Sequence, residues 1–177
     1  RCFGGGASAA LRSLHQLISD NTGKRELLLA QREPKANKEI SLSKEYHPTY
    51  DPIILKALQA QDYFLLVGPP GTGKTSMALQ FMVREFTSSL LLMSYTNRAV
   101  DEICGMLTDN NIDYIRIGNE YTCDKRYRDH LLDYALKDYS KLDEIKEKIL
   151  STQVIVGTTA TIQNRSYIFD LKHFDVA

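Results

Sequence analysis

Neither sign of charge is in excess in this chain: 22 Lys and Arg stand against 22 Asp and Glu in 177 residues, a formal net charge of zero. No global basic field gathers a polyanion, so any such contact has to be made in a local groove. Cysteine is sparse. Cys2, Cys104 and Cys123 share no CxxC spacing and have no histidine cluster beside them. That argues against a metal ribbon or a disulfide framework and for reduced, structural thiols in a cytoplasmic setting. His15, His47, His130 and His173 are too scattered for a metal site or a catalytic triad. No apolar run approaches the roughly 18 residues of a membrane span, nothing reads as a signal peptide, and no internal repeat or low-complexity segment is present. With 43% hydrophobic and 25% charged residues the composition is that of a globular chain. Its length suits one well-buried domain with some to spare.

What is present centres on one stretch. The apolar run Tyr63-Phe64-Leu65-Leu66-Val67 leads into Gly68-Pro69-Pro70-Gly71-Thr72-Gly73-Lys74-Thr75, and then into the helix-prone Ser76 to Met82. This is G-x-x-x-x-G-K-[ST] in the order strand, glycine turn, helix. Nucleotide phosphates need several backbone N–H groups aimed at one point and the positive end of a helix dipole. Pro69 and Pro70 have no N–H to offer, so the cradle falls to residues 71 to 75, where Gly71 and Gly73 let the backbone turn and approach. Lys74 is expected on the β- and γ-phosphates of ATP and Thr75 on Mg²⁺, with Gly68 to Ser76 as the binding turn.

Along the chain, apolar spacing predicts a helix over Ser8–Ile18 with Ser8 as its cap, a second over Lys24–Gln31, and a polar linker from 33 to 50. Asp51-Pro52 reads as cap and first position of a helix to about Gln59. Strands follow at Tyr63–Val67, Leu90–Ser94, Asp113–Gly118 and Val154–Gly157, separated by helices from about Ala99 to Leu107 and through 131 to 150. Between them lies a polar insertion, Asn119 to His130, whose Asp124-Lys125-Arg126-Tyr127-Arg128 mixes basic and aromatic residues and reads as a solvated loop. Alternating strands and helices predict an α/β fold, a parallel sheet flanked by helices with a helical appendage over 1–46 and the sheet domain over 47–177. Ligands then gather at the carboxyl ends of the strands. The absence of an initiator Met, and a final His173-Phe174-Asp175-Val176-Ala177 that reads like the opening of a further strand, suggest a piece of a longer protein.

Three strand-end motifs together resemble superfamily 1 helicases, in the branch that holds the nonsense-mediated-decay helicase and the Okazaki-fragment helicase-nuclease. They are Gly68 to Thr75, then Ser94-Tyr95-Thr96-Asn97-Arg98-Ala99-Val100-Asp101, and Val156-Gly157-Thr158-Thr159-Ala160-Thr161, with Arg116-Ile117-Gly118 between the last two. The resemblance covers about residues 51 to 177. It implies the first part of a RecA-like, P-loop ATPase domain in an ATP-driven motor moving 5′-to-3′ along single-stranded DNA or RNA. Ser94, Thr96, Asn97, Arg98, Thr158 and Thr159 would then touch the strand's backbone, as short polar side chains hold phosphates without reading bases. Both Thr-Asn and Thr-Thr also suit an ordinary helix cap, and Arg98 also suits a surface pair with Asp101.

Two departures from the family pattern stand out. Tyr50 occupies the position of a glutamine that recognises adenine in relatives. The Asp-Glu motif that holds Mg²⁺, and the second RecA-like domain with its arginine finger, would lie beyond Ala177. The full-length protein is therefore expected to hydrolyse ATP and this stretch alone to turn over negligibly. Two other readings of the same turn are a nucleotide-dependent switch and an AAA-type remodelling ATPase.

Overall fold

The computed structural model describes residues 5–69 and 71–177, with the side chains of 5–9 and 74 left aside. The chain falls into two compact units, Arg1–Val67 and Gly68–Ala177.

In the first unit, α1 (Gly5–Ile18) begins earlier than Ser8, so that serine lies inside the helix instead of capping it. The next helix, α2 (Lys24–Leu28), is shorter than the expected 24–31 because Ala30 turns into the left-handed region at φ 54°. Its start is held by Asp20, whose carboxylate accepts from the N–H groups of Thr22, Lys24 and Arg25. Those bonds and the Thr22 hydroxyl hold the carboxyl at about 2. The stretch expected as a linker is tied down. Arg32 grips Asp62 through two parallel hydrogen bonds of 2.8 Å, and Ala36 bridges Ala60 antiparallel. α3 (Asp51–Gln59) starts one residue before the expected position, with Tyr50 at the cap and no side-chain cap bond. Asp51 accepts instead from the N–H groups of Tyr46 and His47, closing the preceding turn.

The expected strand over Tyr63–Val67 does not form, and Leu65 and Val67 stand 77% and 95% exposed. A strand needs an edge to satisfy its N–H and C=O groups. Tyr63–Val67 pairs with no strand among the described residues.

That sheet has three parallel strands in the order β1 (Leu90–Ser94), β3 (Val154–Thr158), β2 (Tyr114–Ile117). β3 is buried along its whole length, which is why its sequence is apolar at consecutive positions and not at alternate ones. One face packs on α5 (Asn97–Asp109), where Val100, Ile103, Cys104 and Leu107 meet Leu90, Tyr114, Val154 and Val156. The other face holds Leu91, Ile115, Ile117 and Ile155 against Ile149 of α7 (Leu142–Ser151), Ile162 of α8 (Thr159–Asn164) and Ile168 of α9 (Ile168–Leu171). Ahead of β1, a wide π turn (Lys74–Leu79) runs into α4 (Gln80–Glu85). The insertion after β2 folds into two 3₁₀ turns (Glu120–Thr122 and Lys125–His130) and the single helical turn α6 (Leu132–Ala135). It is not a solvated loop throughout: Tyr127 is buried in the core beside α5, and the His130 ring stacks on Tyr114 at 4.0 Å.

Gly157 sits where β3 passes closest to its neighbour. A Cβ there would lie 3.0 Å from the Ile117 carbonyl and 3.1 Å from Ile162 Cδ1. Because the first obstacle is backbone in a buried sheet, Gly157→Ala is expected to destabilise the fold by about 1–3 kcal/mol, read as a lower midpoint in urea denaturation with an unchanged slope.

Candidate functional site

The glycine turn has the backbone its sequence demands. Gly71 and Gly73 lie at φ 80° and 74°, the left-handed region that side chains disfavour, and nothing stands within 4 Å of the position a Cβ would take on Gly71. The Thr72 hydroxyl donates to the Pro69 carbonyl at 2.8 Å and closes the turn. The Gly73 carbonyl then accepts from both Met77 and Ala78, at 2.9 and 3.0 Å, opening the π turn. The amides before Met77 are those a helix leaves unpaired at its start, and they carry its positive dipole end.

Gly71, Gly73, Thr75 and Ser76 form one wall of a cleft of about 570 Å³. Gly68, Pro69 and Thr72 shape the turn without lining that cleft; Pro70 and the Lys74 side chain lie outside the described residues. The opposite wall is a stripe of α5, namely Glu102, Gly105, Met106 and Asp109. These positions went unremarked in the sequence. Their signal is the i, i+3, i+4, i+7 spacing of one helix face, the face left over once Val100, Ile103 and Leu107 are given to the core. Because this wall carries two carboxylates, the charge of an anion in the cleft has to be met from the turn side.

The second group of expected residues converges on the carboxyl edge of the sheet. The parallel register sets Ser94 of β1 directly beside Thr158 of β3. Thr96 caps α5, its Oγ1 accepting from the Ala99 N–H at 3.2 Å, and Asn97 is that helix's first residue. Thr158 caps α8 in the same way at 3.1 Å, and its hydroxyl also donates to Thr161 Oγ1 at 2.8 Å. Thr158 is buried with its hydroxyl donating one bond and accepting another within the cap, whereas Thr159 is exposed.

Arg98 does not pair with Asp101. It reaches loosely to Glu102, at 3.9 Å, from an almost fully exposed position. Asp101 faces inward and accepts from Arg116 of β2, whose side chain is only 1% exposed. The same guanidinium donates to the Thr122 carbonyl at 3.4 Å and touches Cys104 Sγ, and Asp101 also accepts from the Asp124 N–H. Burial opposes the charged form of Arg116, but the hydrogen bond to the Asp101 carboxylate works against it and the pKa is raised. Burial pushes the Cys104 thiol up to about 11, so it is neutral and inert at ordinary pH. Arg126 is taken by Asp124 at 2.9 Å, which holds that carboxyl at about 2. Among the described residues no cluster of His, Cys, Asp and Glu is placed to hold a metal ion.

A glycine turn opening a helix, set beside a parallel sheet with helices on both faces, defines a P-loop NTPase fold. The AAA domain family matches residues 49–144, over half of the chain. The chain belongs to that family, and the resemblance to superfamily 1 helicases holds. It is 35% identical over 127 residues to the DNA replication ATP-dependent helicase/nuclease JHS1 of Arabidopsis thaliana, covering 70% of this chain and 9% of that protein. Against the DNA replication ATP-dependent helicase/nuclease DNA2 of Homo sapiens the identity is 34% over 128 residues, covering 68% and 12%. An uncharacterized ATP-dependent helicase, MJ0104 of Methanocaldococcus jannaschii, is 31% identical over 104 residues, covering 54% and 16%. The chain thus spans about a tenth of the length of the helicase/nucleases it matches.

Removing Asp101 leaves a buried guanidinium whose Nε already lacks a partner. Asp101→Ala is expected to cost about 3–5 kcal/mol of stability, and Asp101→Asn, which keeps an acceptor, less. Chemical denaturation of the two variants beside the parent measures the difference.

Proposed function

We propose that this chain is the ATP-binding part of a superfamily 1 nucleic-acid helicase that moves along a single strand, 5′-to-3′. The observation that carries the reading is the pair of left-handed glycines, Gly71 and Gly73, opening a helix onto a cleft whose far wall is acidic. That arrangement concentrates all attraction for a triphosphate on Gly68 to Ser76. The amides of residues 71 to 75 would surround the phosphates, the Lys74 ammonium would neutralise the β- and γ-oxygens, and the Thr75 hydroxyl would hold Mg²⁺. Mg²⁺ held there would supply positive charge against that developing on the γ-phosphoryl group. Glu102 and Asp109 then act by repulsion, keeping the phosphates against the turn.

The strand runs over the carboxyl edge of the sheet. Ser94, Thr96, Asn97 and Arg98 meet its phosphates from the β1 side, and Thr158 and Thr159 from the β3 side. Thr158 contributes the start of α8 instead of its own hydroxyl, which Thr161 occupies, and the exposed Thr159 supplies the side-chain contact. Such contacts position a strand without reading its sequence. A second RecA-like domain elsewhere in the full-length protein would complete the ATP site with an arginine. Free, buried Cys104 and Cys123 support a reducing, cytoplasmic setting; none of the described helices is long and apolar enough to cross a membrane.

Titration with a fluorescent ATP analogue in the presence of Mg²⁺ tests the reading. The parent chain is expected to take up nucleotide, and Lys74→Ala to weaken uptake at least tenfold, about 1.4 kcal/mol, with ATP turnover negligible in both. An absence of uptake by the folded parent, or equal affinity in the variant, would overturn it.

A further inference from the structure

Beyond the residues assigned above, the carboxyl edge of the sheet continues past β3 to a second cavity at the end of β2, of about 250 Å³. Ile117 of β2 is in register with Gly157 of β3, so this cavity is the next station along the line that starts at Ser94 and crosses Thr158. Its rim carries the ring of Tyr121, 84% exposed. Exposure of an aromatic ring is costly, yet the turn beneath is firmly held. The Tyr121 N–H donates to Asn119 Oδ1 at 2.7 Å, the Thr122 N–H to the Asn119 carbonyl at 3.1 Å, and the buried Arg116 to the Thr122 carbonyl. The ring is therefore presented from a fixed backbone.

Arg165, just past the end of α8, also lines the cavity and makes no ion pair among the described residues. Two carboxylates complete the polar lining. Glu120 accepts from the Tyr134 hydroxyl at 2.7 Å through one oxygen, and the Asp133 carboxylate makes no hydrogen bond or ion pair among the described residues. A bare phosphate fits poorly beside Asp133. A nucleotide unit fits all three groups, because a base offers a face to stack on Tyr121 and an exocyclic amino group to Asp133, while its phosphate reaches Arg165.

We propose that this cavity receives one unstacked base of the single strand, stacked on Tyr121 and held at its phosphate by Arg165. The inference rests on the strand-binding reading given above. It makes Tyr121 a binding residue at the β2 end of the track, with the Asp101–Arg116 pair as the support that positions it.

The test uses a short fluorescein-labelled single-stranded DNA oligomer, and its RNA counterpart, with anisotropy as the readout. Tyr121→Ala is expected to weaken binding at least fivefold, Tyr121→Phe to retain it, and Arg165→Ala to weaken it and flatten its salt dependence. The chain has no tryptophan, so Tyr121→Trp adds a single reporter whose emission is expected to be quenched as the strand saturates. Circular dichroism melting of each variant controls for folding. Strand binding by the parent with Tyr121→Ala unchanged, or with the tryptophan of Tyr121→Trp unquenched at saturation, would overturn this site while leaving the strand-binding reading intact. No strand binding by the folded parent would overturn both.

Discussion

Val154–Thr158 has no face and no edge left for water. Each of its side chains is buried, and its backbone is paired to β1 on one side and β2 on the other. Burying a Val or Ile side chain is worth about 1.5–3 kcal/mol, and that gain is available only if helices cover both faces. α5 does so on one side and α7, α8 and α9 on the other. Because the pairing is parallel, all three strands end at the same edge, and every candidate strand-binding residue after β1 and β3 arrives there as a consequence. Gly157 is the point at which this layer tolerates no additional atom.

The charge buried between α5 and β2 is the second constraint. A guanidinium taken out of water has to be matched, and Arg116 is matched by Asp101. The pair joins α5, the helix after the Thr96 cap, to β2, and through the Thr122 carbonyl and the Asp124 N–H to the turn that follows β2. A second buried cation among the described residues is met differently. Lys172 donates to the carbonyls of Ile149 and Leu150, at 3.2 and 2.7 Å, satisfying the end of α7 with no carboxylate involved, and burial lowers its pKa. The first arrangement ties strand-end loops together; the second only closes a helix.

α5 has to serve three neighbours at once. Its apolar stripe enters the core, Asp101 faces β2, and Glu102, Gly105, Met106 and Asp109 face the glycine turn. Gly105 also makes room for a neighbour, since a Cβ there would stand 2.8 Å from the Tyr127 hydroxyl and push that ring aside. Tyr127 was unreadable as a core residue because its sequence neighbours, Lys125, Arg126 and Arg128, are charged. Burial of one ring in a 3₁₀ turn leaves no periodicity to detect.

Local chemistry was legible wherever it depends on neighbours in sequence. The left-handed glycines of the turn at Gly71 and Gly73, the caps at Thr96 and Thr158, and the continuous apolar runs of β1 and β3 are such cases, because backbone conformation and capping involve residues only a few positions apart. The same reasoning failed for Tyr63–Val67, where an apolar β-prone run takes strand form only if an edge is free to receive it, and for Arg98 and Asp101, whose spacing suggested a pair that a distant arginine pre-empts. What the amino-acid order determined by itself is the set of turns, caps and buried stripes. Which strands pair, which carboxylate meets Arg116, and which ring is left standing over a cavity were decided by tertiary structure, since each depends on a partner more than ten residues away that only the packed sheet brings within reach.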